Sequence, residues 1–286
     1  MKYIFFLMLI AEFLSAEQII DIQEVKNLKT KSSMQKWLDH DFGLKPYKTN
    51  YLLPYGYADT PYTSNIPTID YQNIEAELQV SLMLQVGNNI FGLGEKYYVS
   101  YTHQAFWQIY INSAPFRETT YNPEGFVIFP IDDTESIFGL RSFKLTLAHK
   151  SNGQPNTEDV VFQNGQALGN ISRSINYFKS TLRLQHDTLV TDLSVWVPIS
   201  DLSDNPDIMD YMGYTSLKFT YFLNDNMFSI KTRGNIATQK GAVELTYSHP
   251  LIHNNLYIKF FSGYMESLID YNRKLTKLSI GFSFSR

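Results

Sequence analysis

The sequence predicts an all-β protein: a transmembrane antiparallel β-barrel of about 12 strands with a short N-terminal periplasmic segment. Runs that alternate apolar and polar residues recur from about residue 75 to the C-terminus, which is the period of a β-strand. No stretch after the N-terminus approaches the roughly 20 apolar residues that a spanning helix needs. Tyr and Phe number 20 each, which suits aromatic girdles at two membrane interfaces. Because open strand edges cannot be satisfied in hydrocarbon, such strands must close into a barrel.

Residues 1–16 have the features of a secretory signal peptide. Lys2 supplies a charged start, residues 3–14 form an apolar run, and Ser15 and Ala16 precede Glu17. The apolar run is too short to span a bilayer as a helix. We therefore expect cleavage after Ala16 and exclude the segment from the fold.

Residues 17–74 are expected to form an N-terminal periplasmic segment. The stretch is polar, carries clustered lysines, and becomes irregular after a short helix around Ser33 to Leu38. It lies in the periplasm or packs across the mouth of the barrel. The barrel itself, with a catalytic outer face, is assigned to residues 75–286.

The alternating runs predict about 12 strands, an even number as in bacterial barrels. They are 77–87, 90–101, 104–112, 121–131, 136–151, 171–186, 188–199, 211–223, 226–236, 239–249, 254–264 and 273–286. The connection 154–170 is rich in Asn, Gly and Gln, which indicates a long extracellular loop. The net charge of -4 offers no broad basic surface, so we expect no nucleic-acid partner. The absence of cysteine is compatible with the periplasm and the cytosol alike.

One strand face of the run 143–151 ends in two residues that can take part in catalysis. Its odd positions are apolar up to Leu147 and then read His149 and Ser151, so a base and a nucleophile share a lipid-facing surface. Asn176 lies on the apolar face of the run 172–184. The residues therefore predict a Ser-His-Asn triad in which Ser151 attacks, His149 is the general base and Asn176 orients the imidazole. A neutral amide also avoids placing a bare charge at a lipid boundary.

The intermediate of such a reaction requires an oxyanion site. The backbone N–H groups of Asn152 and Gly153 follow the nucleophile and are the expected donors.

The chain resembles outer membrane phospholipase A, a calcium-dependent acyl hydrolase, over most of its length after about residue 40. The matching motifs are YKTNYL (47–52), FWQ (106–108), PFRET (115–119) with Tyr121, HKSNG (149–153), SRSIN (172–176), DNPD (204–207), YMGY (211–214), SGY (262–264) and ESLIDYN (266–272). The resemblance implies an integral protein of the bacterial outer membrane with its catalytic groups toward the outer leaflet. It also implies activation by calcium and homodimerisation, with A1 and A2 type hydrolysis of phospholipids and lysophospholipids.

The same resemblance implies a calcium site and an acyl contact surface. The matching calcium ligands are the hydroxyls of Ser113 and Ser172 and the carbonyl of Gln154, and Asp204 matches an acidic position. Phe116 and Tyr121 match residues that flank the acyl chain. A second acidic position falls in an insertion between 155 and 171, where Asn156, Glu158 and Asp159 remain alternatives.

Plainer interpretations apply to several of these residues. Arg117 and Glu118 are expected to be an interior ion pair in a polar lumen, and the motif at 204–207 is a good turn by composition alone. His103, His186 and His249 are expected to be interfacial polar residues, and Trp107 and Trp196 interface anchors.

Two other classes of protein compete with the phospholipase hypothesis. A porin-like or structural barrel explains the alternation but not why imidazole, hydroxyl and amide share the lipid face. A soluble, secreted β-sandwich hydrolase explains the triad but not the lipid-facing aromatic residues.

Overall fold

Twelve antiparallel strands close into a barrel in the computed structural model, which describes residues 26–38, 43–62, 69–131, 139–154 and 170–286. The chain divides into two compact units, Met1–Lys45 and Pro46–Arg286. A two-residue strand, β1 (Lys45–Pro46), precedes the twelve barrel strands. The barrel strands are β2 (Tyr51–Ala58), β3 (Ile74–Asn88), β4 (Lys96–Trp107), β5 (Phe116–Pro130), β6 (Leu140–Ser151), β7 (Ser174–His186), β8 (Leu189–Pro198), β9 (Thr215–Leu223), β10 (Asn226–Asn235), β11 (Lys240–Pro250), β12 (Asn255–Gly263) and β13 (Leu275–Ser283). The helices are α1 (Leu28–Leu38) and α2 (Ile208–Met212).

Helix α1 belongs to the first unit. The Asn27 side-chain oxygen accepts hydrogen bonds from the backbone N–H groups of Lys29 at 3.0 Å and Thr30 at 3.2 Å, which caps the helix N-terminus. The short helix predicted around Ser33 to Leu38 lies within α1. Neither helix of the described residues is long and apolar enough to cross a membrane. The predicted signal peptide lies outside the described residues.

The barrel closes through β2, which pairs with β3 on one side and with β13 on the other. Tyr51 stands opposite both Gln79 and Ser283, and β3 continues the wall through β4. Every one of the twelve strands therefore has two neighbours, which satisfies the backbone in hydrocarbon.

Strand β2 corrects the predicted boundary, because Tyr51–Ala58 lies inside the segment 17–74 that was assigned to the periplasm. Pro54 and Gly56 are unfavourable in a strand interior, so the sequence does not predict this strand. A register shift between Leu53 and Gly56 also breaks its alternation.

A second correction concerns the predicted strands 90–101 and 104–112, which form one strand, β4. The apolar residues before β4 belong to a turn, where the Glu95 carboxylate accepts N–H groups of Phe91 at 2.7 Å and Leu93 at 3.0 Å. The predicted number of strands was correct because one missed strand offset one that was divided.

Alternation sorts the side chains into an apolar outer face and a polar interior. Leu147, Val197 and Leu278 point outward and are 56%, 53% and 54% exposed. Ion pairs fill the interior: Arg117, which is 1% exposed, contacts Glu75 at 2.9 Å and Asp270 at 2.6 Å. Lys277 also contacts Glu75, at 2.9 Å, and Lys259 contacts Glu77 at 2.6 Å.

The predicted pairing of Arg117 with Glu118 is wrong, although both residues are buried. Glu118 instead accepts the backbone N–H groups of Leu268 at 3.0 Å and Ile269 at 2.9 Å. Both neighbours are buried because a register shift between β4 and β5 interrupts the alternation here, and each charge finds its partner on a distant segment.

The two ends of the barrel differ in their connections. Residues 187–188 and 224–225 make two-residue turns at one end, where Asp187 and Asn224 adopt positive φ angles. The longer connections 152–173, 199–214 and 264–274 lie at the other end. Ser151 ends β6 and Ser174 begins β7 at this long-loop end.

Candidate active site

His149 and Asn176 stand opposite each other on β6 and β7. The His149 Nδ1 atom lies 2.7 Å from the Asn176 Oδ1 atom, which is hydrogen-bonding distance. The pair faces outward, since His149 shares its face with exposed Leu147 while the intervening Ala148 points inward and is buried. The structure therefore brings together the two residues that the sequence predicted to be base and orienter.

Ser151 lies two residues beyond His149 on the same face of β6 and is half-buried. Its cross-strand neighbours are Ser174 on β7 and Tyr121 on β5. Within the described ranges, no hydrogen bond joins the Ser151 hydroxyl to the His149 ring. Such contacts in ligand-free enzymes are often loose and tighten when substrate binds.

The turn after Ser151 is held rigidly by Asn152, which is 2% exposed. Its side-chain amide donates to the Ile171 carbonyl at 2.8 Å, and its side-chain oxygen accepts the Arg173 N–H at 3.0 Å. The Asn152 backbone N–H donates to the Arg173 carbonyl at 3.1 Å. Of the two predicted oxyanion donors, the N–H of Asn152 is therefore already engaged. The N–H of Gly153 has no acceptor among the residues that the structure describes.

Gly153 and Tyr121 are packed so closely that only glycine fits. Gly153 has a φ of 62°, and a Cβ atom there would lie 2.7 Å from the Tyr121 ring. Tyr121 is 36% exposed and also packs edge to face on His103, with ring centres 5.4 Å apart. Tyr121 thus lies beside the site. Phe116, at the start of β5, is 51% exposed and stacks on Trp107 of β4.

An outward groove begins at the His149–Asn176 pair and crosses β5 and β6. It is lined by Val99, Ser100, Pro123, Glu124, Gly125, Leu147, Ala148, His149, Asn176, Ile199 and Ser200. At its floor, a Cβ atom added to Gly125 would meet no atom within 4 Å. Sequence reasoning missed Gly125 and Ser200; a glycine on the outer face of an alternating strand was the available signal for the first, and nothing pointed to the second.

Ser172 and Asp204 form a cluster of oxygen atoms above the start of β7. The Ser172 hydroxyl donates to the Asp204 carboxylate at 3.0 Å, and the Asn170 amide donates to it at 3.2 Å. Gln154 lies on the connection after β6, and Ser113 is exposed between β4 and β5. Hydroxyl, carboxylate and carbonyl oxygens are the donors that a hard cation such as Ca²⁺ takes.

Ser113 and Gln154, the other predicted calcium residues, are not part of this hydrogen-bonded cluster in the described residues. The described residues show no hydrogen bond between Ser113 and Ser172, and no close group of three His, Cys, Asp or Glu residues. Asn156, Glu158 and Asp159 lie outside the described residues.

The motif at 204–207 is a turn that fastens this cluster to the barrel. Asn205 is fully buried, and its side-chain oxygen accepts the Ser174 N–H at 2.9 Å. The Tyr271 hydroxyl donates to the Asp207 carboxylate. Burial and this carboxylate raise the pKa of Tyr271 well above its usual value, so the phenol stays protonated. Asp204 is thereby held at a fixed position beside Ser172.

The closed barrel with its apolar outer face defines an integral β-barrel of the bacterial outer membrane. The Phospholipase A1 family model matches residues 27–284, and the chain belongs to this family. It is 32% identical to phospholipase A1 of Escherichia coli K12 over 95% of this chain and 91% of the relative. It is 34% identical to phospholipase A1 of Proteus vulgaris, over 85% of this chain and 82% of the relative.

Solved structures agree with this assignment. An active-site mutant of outer membrane phospholipase A from Escherichia coli superposes with a TM-score of 0.75 and 32% identity, over 92% of this chain and 95% of that one. A calcium-bound dimer of the Salmonella typhi outer membrane phospholipase gives a TM-score of 0.75 and 33% identity, over 85% and 93% of the two chains. The predicted barrel and the predicted family resemblance are both confirmed.

Proposed function

We propose that this protein is a calcium-dependent phospholipase of A1 and A2 type, with Ser151 as nucleophile, His149 as base and Asn176 as orienter. The observation that carries the proposal is the 2.7 Å contact between His149 Nδ1 and Asn176 Oδ1 on the lipid-facing wall, two residues from Ser151. Two findings on relatives support it. They bear the name phospholipase A1, and the Escherichia coli mutant carries an asparagine-to-alanine change in its active site.

The reaction begins when His149 Nε2 accepts the Ser151 proton and the Ser151 oxygen attacks the ester carbonyl. His149 Nδ1–H donates to Asn176 Oδ1, which stabilises the imidazolium that forms. The Gly153 N–H is the donor available to the oxyanion. His149 then protonates the departing glycerol oxygen, leaving an acyl-Ser151 that water hydrolyses with His149 again as base.

The outer groove supplies a seat for the acyl chain of a phospholipid or lysophospholipid. Its walls carry Leu147 and Val99, and Gly125 leaves its floor open. Tyr121 and, farther along β5, Phe116 extend the apolar contact surface. A lipid can therefore present its ester to Ser151 without leaving the membrane. A porin-like barrel gives no reason for a hydrogen-bonded imidazole on this face.

Calcium bound near the nucleophile would stabilise negative charge that develops on the substrate. The Ser172 hydroxyl and the Gln154 carbonyl would hold it, with Asp204 fixing the Ser172 side chain. We propose that the Ser113 oxygen comes from a second copy, because the resemblance to outer membrane phospholipase A implies a calcium site at the boundary between two subunits. The dimeric, calcium-bound relative supports this arrangement.

Replacing the nucleophile tests the proposal. Ser151→Ala should abolish phospholipid hydrolysis in the presence of calcium, while heat-modifiable migration on gels remains that of a folded barrel. Ser174→Ala is the matched control, because Ser174 stands directly opposite Ser151 and is held through its backbone N–H. Parental activity should also disappear with a chelator. Hydrolysis by Ser151→Ala near the parental rate would overturn the assignment.

A further inference from the structure

Asn176 is held at both ends of its side-chain amide. Its Oδ1 atom faces His149 Nδ1 at 2.7 Å, and its Nδ2 atom donates to the Ser200 hydroxyl oxygen at 3.1 Å. Ser200 lies in the connection that follows β8. That connection is tied to the same residue, because the Ile199 N–H donates to the Asn176 carbonyl at 2.9 Å.

We propose that Ser200 is a positioning residue for the hydrolytic reaction, which extends the set Ser151, His149 and Asn176 by a fourth member. This inference rests on the proposed function. Asn176 lies at the edge of an open groove and is only partly buried, so its amide plane is free to turn unless something holds it. The Ser200 hydroxyl holds the far end of that plane and keeps Oδ1 directed at the imidazole.

The hydroxyl also acts on the charge that develops during the reaction. When His149 takes the Ser151 proton, its Nδ1–H pulls electron density toward Asn176 Oδ1. This polarises the amide and makes Nδ2–H a stronger donor, so the bond to the Ser200 oxygen strengthens in the same step. Ser200 therefore contributes more in the transition state than in the ground state. Its loss should lower kcat and leave KM near the parental value.

An aspartate in place of Asn176 separates this role from a merely structural one. A carboxylate has two equivalent oxygens and no N–H group, so it has no amide end to be held. The Ser200 hydroxyl must then turn and donate to the carboxylate, and this bond reduces the negative charge that the carboxylate presents to the imidazolium. Losing the hydroxyl in the Asn176→Asp background should therefore cost no activity.

The experiment measures kcat and KM on a short-chain phospholipid with calcium for the purified, folded barrel. Ser200→Ala should lower kcat about threefold to tenfold, as expected for one hydrogen bond. Ser200→Thr, which keeps the hydroxyl, should restore most of it. Ser203→Ala is the matched control, since Ser203 is an exposed serine of the same connection. Adding Ser200→Ala to Asn176→Asp should change kcat less than twofold.

Three outcomes would overturn the inference. They are a Ser200→Ala enzyme with parental kcat, an equal loss with Ser203→Ala, or the same several-fold loss in both backgrounds. The last would mean that the hydroxyl supports only the loop. Activity that survives Ser151→Ala would instead refute the proposed function, so the two failures are distinguishable.

Discussion

Removing the Asn176 amide should slow hydrolysis without unfolding the barrel. The side chain faces outward and contributes one short contact to His149, at 2.7 Å, and one to Ser200, at 3.1 Å. Asn176→Ala therefore removes little packing. The backbone pairing of β7 with β6 and β8 remains.

The size of the effect follows from the charge on the partner. A hydrogen bond to a charged group contributes about 1.5 to 3 kcal/mol, and about 1.4 kcal/mol corresponds to a factor of ten in rate. The His149 ring is charged in the transition state, so Asn176→Ala should reduce kcat by about 10- to 150-fold. Because His149 can still accept a proton when poorly oriented, the loss should be smaller than that of Ser151→Ala. Asn176→Asp keeps an oxygen toward the imidazole and should retain appreciable activity.

The assay is steady-state hydrolysis of a dispersed short-chain phospholipid with calcium, run beside heat-modifiability gels for each variant. The three variants should rank as Asn176→Asp, Asn176→Ala and Ser151→Ala in decreasing activity, with all barrels folded. Parental kcat in Asn176→Ala would refute the orienting role. Equal and complete loss in all three would mean that Asn176 serves folding instead.

Calcium should raise the dimer fraction of the parent protein in detergent, because an ion that binds the dimer more tightly than the monomer stabilises the dimer by the same free energy. Ser172→Phe should remove both this shift and the activity. Sedimentation with calcium and with chelator measures the dimer fraction, and a parental dimer fraction that does not change with calcium would refute the coupling. Arg117→Leu should lower the free energy of unfolding by about 3 to 5 kcal/mol, because it leaves the buried carboxylates of Glu75 and Asp270 without their cation. Arg183→Leu is the control: the Arg183 side chain is 53% exposed, so the loss of its ion pair should cost less than about 1 kcal/mol. Equal losses for the two variants in denaturant titrations would contradict this prediction. Gly125→Leu should fill the open groove and raise KM more for long-chain than for short-chain phospholipids. Leu245→Phe, on the opposite side of the barrel wall, is the control. An unchanged chain-length preference in Gly125→Leu would exclude the groove as the binding site of the acyl chain.

The period of two along the chain was sufficient to predict the barrel and the face on which His149 lies. That period is a local property: successive side chains on a strand alternate sides whatever the strand pairs with. The apolar run ending at Leu147 therefore implied that His149 and Ser151 face outward, and the structure has Leu147 exposed. For the same reason β2 was missed: Pro54 and register shifts toward both neighbouring strands interrupt the local pattern, although β2 still pairs with β3 and β13.

Only the tertiary structure decided which side chains contact each other. Arg117 contacts Asp270, which is 153 residues away, rather than its neighbour Glu118. Ser200, 24 residues after Asn176, reaches it because β8 pairs antiparallel with β7 and brings the first residues after β8 beside Asn176; nothing in the composition of that connection marks Ser200. The same holds for the Asn152 N–H, which donates to the Arg173 carbonyl on the segment that leads into β7. Alternation specifies which side of the wall a residue occupies; register and loop paths, which depend on closure of the whole barrel, specify which atoms it meets.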